Sequence, residues 1–99
     1  MAVAFKLQSF DFTNESGPES ETLTFAFPSN VKEATAALAG YRFEYTDAVP
    51  RGVDVIDVKV RVVSRTGSIV QVKVEAHFAD PSRDDAYKGR IDVLAIAEL

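Results

Sequence analysis

With 99 residues, 46% hydrophobic and 26% charged, the chain has the size and make-up of one small globular domain, with little material for a large enclosed cleft. Eleven Lys and Arg against fifteen Asp and Glu leave a formal charge of −4, which disfavours nucleic acid as the main partner. The absence of cysteine removes disulfides, thiolate zinc sites and cysteine nucleophiles together.

Residues 1–12 are expected to form an N-terminal strand. Val3, Phe5 and Leu7 alternate with Ala4, Lys6 and Gln8, and the pattern then slips to Phe10 and Phe12, which predicts a bulge near Ser9. Lys6, Gln8 and Asp11 also interrupt the unbroken apolar core that a signal peptide needs, and no run is long enough for a membrane-spanning helix. The expectation is therefore a cytosolic protein, or one released without a cleaved leader. Residues 13–21 combine turn formers with acidic charge and read as a mobile loop.

Leu23, Phe25 and Phe27 alternate with Thr22, Thr24 and Ala26 until Pro28 removes a ladder donor, so residues 22–27 predict a second strand. Val31–Thr46 is ambiguous. Helix formers between Val31 and Ala39 follow two capping candidates, Ser29 and Asn30, whereas Tyr41, Phe43 and Tyr45 alternate. A strand from Ala34 to Tyr45 is favoured, with a single helical turn as the alternative, and Asp47–Gly52 is a loop.

Val53–Phe78 organises the remainder as a long β-hairpin. Val58, Val60 and Val62 alternate with Asp57, Lys59 and Arg61, and Val70, Val72, Val74 and Ala76 with Gln71, Lys73 and Glu75. Ser64–Ser68 joins the arms, with Gly67 free to take a positive φ. Residues 79–89 form a polar connection, and Ile91–Glu98 a final strand whose apolar residues on both faces place it inside a sheet or at a subunit contact. The predicted architecture is an all-β, six-stranded antiparallel β-sandwich filling residues 1–99 as one domain.

The chemistry-bearing residues sit mostly in the loop after the hairpin. Asp80, Arg83, Asp84, Asp85 and Tyr87 gather carboxylate, guanidinium and phenol, the types that hydrogen-bond sugar hydroxyls and offer a ring face. A solvated loop is the plain alternative. Lys59, Arg61, Lys73 and Glu75 read first as cross-strand charge pairs on a solvent face. His77, the single histidine, lies on the polar side of its strand without a nucleophile or orienting acid beside it, so no enzymatic activity is expected. Asp80, Asp84 and Asp85, or Asp47, Asp54 and Asp57, are acidic groups without the spacing of a calcium loop, so neither a metal nor any other cofactor is expected.

The block from Leu23 to Gly40, the hairpin from Asp57 to Phe78 and the closing Gly89–Leu99 together resemble the H-type lectin domain of snail agglutinins and discoidin carboxy-terminal domains. The matching features are Thr24-Phe25-Ala26-Phe27-Pro28, Ala34–Gly40, Val58–Gly67 and Ile91–Glu98, within residues 22–99. The resemblance implies a six-stranded sandwich that associates as a trimer or hexamer and binds a glycan, of galactose or N-acetylgalactosamine type, in clefts between subunits. It places the family's basic residue on Lys59 or Arg61, its aromatic–polar pair on Ala79 and Asp80, and its tyrosine on Tyr87. Arg83 and Asp84 complete the expected ligand-binding set, with Lys59, Arg61, Asp80 and Tyr87. There is no tryptophan to stack on a sugar ring, so the sugar preference rests on resemblance alone. A second expectation is a structural or tip module of a phage tail or similar particle, without glycan binding.

Overall fold

The computed structural model describes residues 2–14, 16–47, 52–81 and 85–99. Six strands follow one another: β1 (Val3–Asn14), β2 (Glu19–Ala26), β3 (Glu33–Tyr45), β4 (Val55–Thr66), β5 (Ile69–Ala79) and β6 (Tyr87–Glu98). They form two three-stranded antiparallel sheets, ordered β1-β6-β3 and β2-β5-β4, so β6 and β5 are the central strands. The sheets face each other as a sandwich about 51 Å long and 17 Å across in the other two directions. Among the described residues, no helix is long and apolar enough to cross a membrane.

The all-β expectation holds, and the ambiguous stretch is strand β3 with no helical turn. Its inward positions shift from Ala34 and Ala36 to Phe43 and Tyr45, and a bulge between Leu38 and Gly40 absorbs that shift, while Tyr41 stays exposed. The hairpin is tighter than expected. Thr66 pairs directly with Ile69, leaving Gly67 (φ +60°) and Ser68 as a two-residue turn. Val58, Val60 and Val62 face inward, and a second bulge, between Val62 and Ser64, shifts the register beyond them so that Arg65 pairs with Val70.

Three expectations are corrected. First, β1 carries no bulge near Ser9: its register with β6 runs unbroken from Val3–Glu98 to Asn14–Tyr87. The apolar residues therefore change faces along one regular strand. Second, residues 13–21 are not one mobile loop, because β1 extends to Asn14 and β2 begins at Glu19, pairing with Ala76. The short turn between them is tied down by Asn14, whose Nδ2 donates to the Pro18 carbonyl (3.3 Å) and to Glu19 Oε2 (3.0 Å). Third, the last strand begins at Tyr87 rather than Ile91.

The core has two chemically different ends. Near the β4–β5 turn it is mainly aliphatic, with Phe25, Val70, Val72, Val93, Ala95 and Ala97 buried. At the other end Tyr87, fully buried, is surrounded by Phe12 (ring centroids 5.7 Å apart, edge-on), Phe78 (6.0 Å) and Phe43 (6.3 Å), while Phe43 stacks on Phe78 at 5.3 Å. Gly89 is required in this cluster. A Cβ there would lie 2.5 Å from the Arg42 carbonyl oxygen and 2.8 Å from Phe12 Cζ.

Candidate functional site

The first half of β1 is inside-out. Of the residues on its inner side only Ala4 packs on the core: Lys6, itself exposed, reaches over the Phe27 ring, with Nζ 6.0 Å from the centroid, and Gln8 Nε2 donates to the Thr24 carbonyl. Its outward residues are apolar and exposed, Val3 at 54%, Phe5 at 62% and Leu7 at 62%. Register extends this surface across the sheet, because Phe5 pairs with Ile96 and Leu7 with Leu94, which pair in turn with Thr35 and Ala37 on β3. Half of the outer face of the β1-β6-β3 sheet is thus a contiguous apolar patch, large on the β1 edge and small on the β3 edge.

Beyond Ser9 and Asp92 the same face turns polar. Arg90 Nε donates to Asp92 Oδ1 (3.0 Å), Arg90 Nη2 to Ser9 Oγ (2.9 Å), and Ser9 Oγ to Asp92 Oδ1 (2.6 Å). The Ser9 hydroxyl, then Arg90, hold the Asp92 carboxyl below its ordinary range. Glu44 lies 3.6 Å from Arg42 and 3.5 Å from Lys88. Asp11, Phe12, Thr13, Arg42, Glu44 and Lys88, with Gly89 and Arg90, line a shallow depression of about 560 Å³. Acidic and basic groups balance on this half.

The opposite sheet presents charged side chains along the middle of β4 and β5, with Val63 and Ile69 exposed nearer the turn between them. Lys59 Nζ is 3.6 Å from Asp57 Oδ2, and Glu75 Oε1 is 3.6 Å from both Arg61 Nη2 and Lys73 Nζ. Pairing sets Asp57 opposite His77 and Lys59 opposite Glu75. These four residues, with Pro18 and Ala76, wall a groove of about 170 Å³. His77 Nε2 is buried and makes no hydrogen bond.

The expected ligand-binding residues are therefore scattered. Lys59 and Arg61 lie on the outer face of β4, Asp80 is half-buried just past the end of β5, and Arg83 and Asp84 lie outside the described residues. Tyr87 is not a loop residue at all. It opens β6 and is 0% exposed, so its ring has no face to offer a ligand; an aromatic neighbourhood of Phe12, Phe43 and Phe78 outcompeted the polar loop that its sequence neighbours suggested. Its hydroxyl crosses the sandwich and donates to the Gly17 carbonyl (2.6 Å), with the Ala76 carbonyl at 3.5 Å. Burial pushes the phenol above its ordinary value, the Glu19 carboxylate adds to the rise, and a hydrogen bond to the Phe78 backbone opposes it. Tyr87 thus supports, from beneath, the Gly17-Pro18 turn that walls the groove.

Sequence reasoning missed Asp57, Glu75 and His77 as groove partners of Lys59. The signal was present in the alternation, which puts all four on one face once Lys59 is set opposite Glu75. Among the described residues, no three His, Cys, Asp or Glu stand close enough to hold a metal ion. No family model matches the chain, and neither does any curated protein or solved structure.

Proposed function

We propose that the chain is an oligomeric, lectin-like carbohydrate-binding module, assembled through the outer face of the β1-β6-β3 sheet. The inside-out half of β1 carries this reading. A strand that sets only Ala4, the exposed Lys6 and Gln8 on its inner side and Val3, Phe5 and Leu7 on its outer side has the polarity of a strand covered from outside. A second copy fits that face. In any assembly whose axis runs along the strands, the β1 edge of one protomer meets the β3 edge of the next, so that Phe5 and Leu7 pack over Thr35 and Ala37. Equal numbers of acidic and basic side chains make the polar half complementary to itself.

The protomer is 51 Å long and 17 Å wide, so a contact of standard size, about 800 Å² per partner, extends beyond the apolar half of this face. A contact of that size includes the polar half, and the depression lined by Asp11, Arg42, Glu44, Lys88 and Arg90 then lies at the boundary between protomers. There carboxylates and cations supply acceptors and donors for hydroxyls, and the Phe12 edge supplies apolar contact. A trimer or hexamer, and a galactose-type sugar, follow from the resemblance to H-type lectins rather than from the face itself.

A glycan array combined with native mass measurement tests the reading. Oligomers with a reproducible glycan signal are expected. An oligomer without one points instead to a structural module, and a monomer without one contradicts both readings.

A further inference from the structure

We propose that the groove walled by Pro18, Asp57, Lys59, Glu75 and His77 is a subsite for one neutral polyhydroxylated ring, complete within a single protomer. It lies on the sheet opposite the assembly face and uses neither the loop after β5 nor a neighbouring subunit. The inference rests on the carbohydrate reading above and adds a second, independent place of contact.

The size argues for a single ring. Pockets for drug-sized ligands run from about 300 to 1,000 Å³, whereas this groove is about 170 Å³. The charges argue for a neutral ligand. Lys59 already faces Asp57, and Arg61 and Lys73 already face Glu75, so an anion entering here would compete with two carboxylates. The distances argue for hydroxyls. All three ion pairs stand at 3.6 Å, outside the roughly 2.7–3.2 Å of a direct N–H···O bond. A hydroxyl set between such groups donates to the carboxylate and accepts from the ammonium, satisfying both at once. Solvent-exposed pairs of this kind contribute only about 0–1 kcal/mol, so a ligand that separates them loses little.

One further feature fits. The Pro18 wall is held by side-chain donors to its backbone carbonyls, Tyr87 to Gly17 and Asn14 to Pro18. That is the support a small binding site needs from beneath.

The test is an NMR titration of isotope-labelled protein with free galactose, N-acetylgalactosamine, glucose and mannose. At least one sugar is expected to shift the amides of 57–59 and 75–77. In the Asp57→Asn, Lys59→Ala double variant, binding of that sugar should weaken at least about tenfold, a change of 1.4 kcal/mol. In the Phe5→Asp, Leu7→Asp double variant, which removes the assembly face, it should stay within about twofold. Three results overturn the proposal: no sugar moves those amides, the Asp57/Lys59 variant binds like wild type, or binding disappears with the assembly face. The last would leave the oligomeric lectin reading standing, with its sugar held between protomers only.

Discussion

Replacing Tyr87 separates a buried support from a ligand contact. Tyr87→Phe keeps the ring but removes the donor to the Gly17 carbonyl, 2.6 Å away. Losing one partner of a buried hydrogen bond costs about 1–2 kcal/mol, or roughly 5–15 °C in melting temperature for a domain of this size. Tyr87→Ala also removes a fully buried ring packed by Phe12, Phe43 and Phe78. Truncation of a buried aromatic costs about 3–5 kcal/mol, comparable with the entire stability of a marginal domain. Thermal melts followed by circular dichroism, at one fixed protein concentration, measure both. The pH dependence adds a signature. Because the folded phenol titrates above its unfolded value, its contribution is complete below about pH 10 and is lost as the pH rises from there through the folded pKa. Stability above pH 10 should therefore fall less steeply in Tyr87→Phe than in wild type. A Tyr87→Ala protein that melts within about 2 °C of wild type would refute the packing described here.

Two glycines give further checks on the fold. Gly89→Ala brings a Cβ into the Arg42 carbonyl and the Phe12 ring, neither of which can retreat without disturbing the strand pairing, so a loss of about 1–3 kcal/mol is expected in urea unfolding. Gly67→Ala meets no crowding, only a φ of +60°, and should cost about 1–2 kcal/mol. Gly67→Asn should recover part of that loss, because asparagine tolerates the left-handed region, and the same unfolding curves would show it.

Strand positions were legible because alternation is a local property. The antiparallel valine arms of β4 and β5, the short phenylalanine strand β2 and the central apolar strand β6 follow directly from residues two apart. What alternation does not carry is which face looks inward. The inward parity changes along β3, from Ala34 and Ala36 to Phe43 and Tyr45, and the backbone inserts a bulge before Gly40 that accommodates the change. Apolar parity changes in the same way along β1, from Val3, Phe5 and Leu7 to Phe10 and Phe12. There the backbone stays regular, leaving three apolar residues on the outer face and the exposed Lys6 and half-buried Gln8 on the side toward the other sheet. One sequence signal thus has two outcomes, and only the tertiary partner decides between them. The candidate site was harder to read for a similar reason. Tyr87 stands beside polar loop residues in sequence, but in space it belongs to Phe12, Phe43 and Phe78. Lys59 acquired groove partners, Glu75 and His77, only once the β4–β5 register was known.

Burial of the β1 edge in a second copy is the claim on which the functional reading depends. Sedimentation equilibrium of wild type beside the Phe5→Asp, Leu7→Asp variant tests it most directly. Both side chains are 62% exposed in the protomer, so the substitutions should leave the fold and its melting curve in place while setting charge in the apolar contact. The account predicts an oligomer for wild type that dissociates at least about a hundredfold more readily in the variant, roughly 2.8 kcal/mol of association energy. A wild-type protein of 10.8 kDa that stays monomeric up to millimolar concentration, or a folded variant that associates as strongly as wild type, would contradict it.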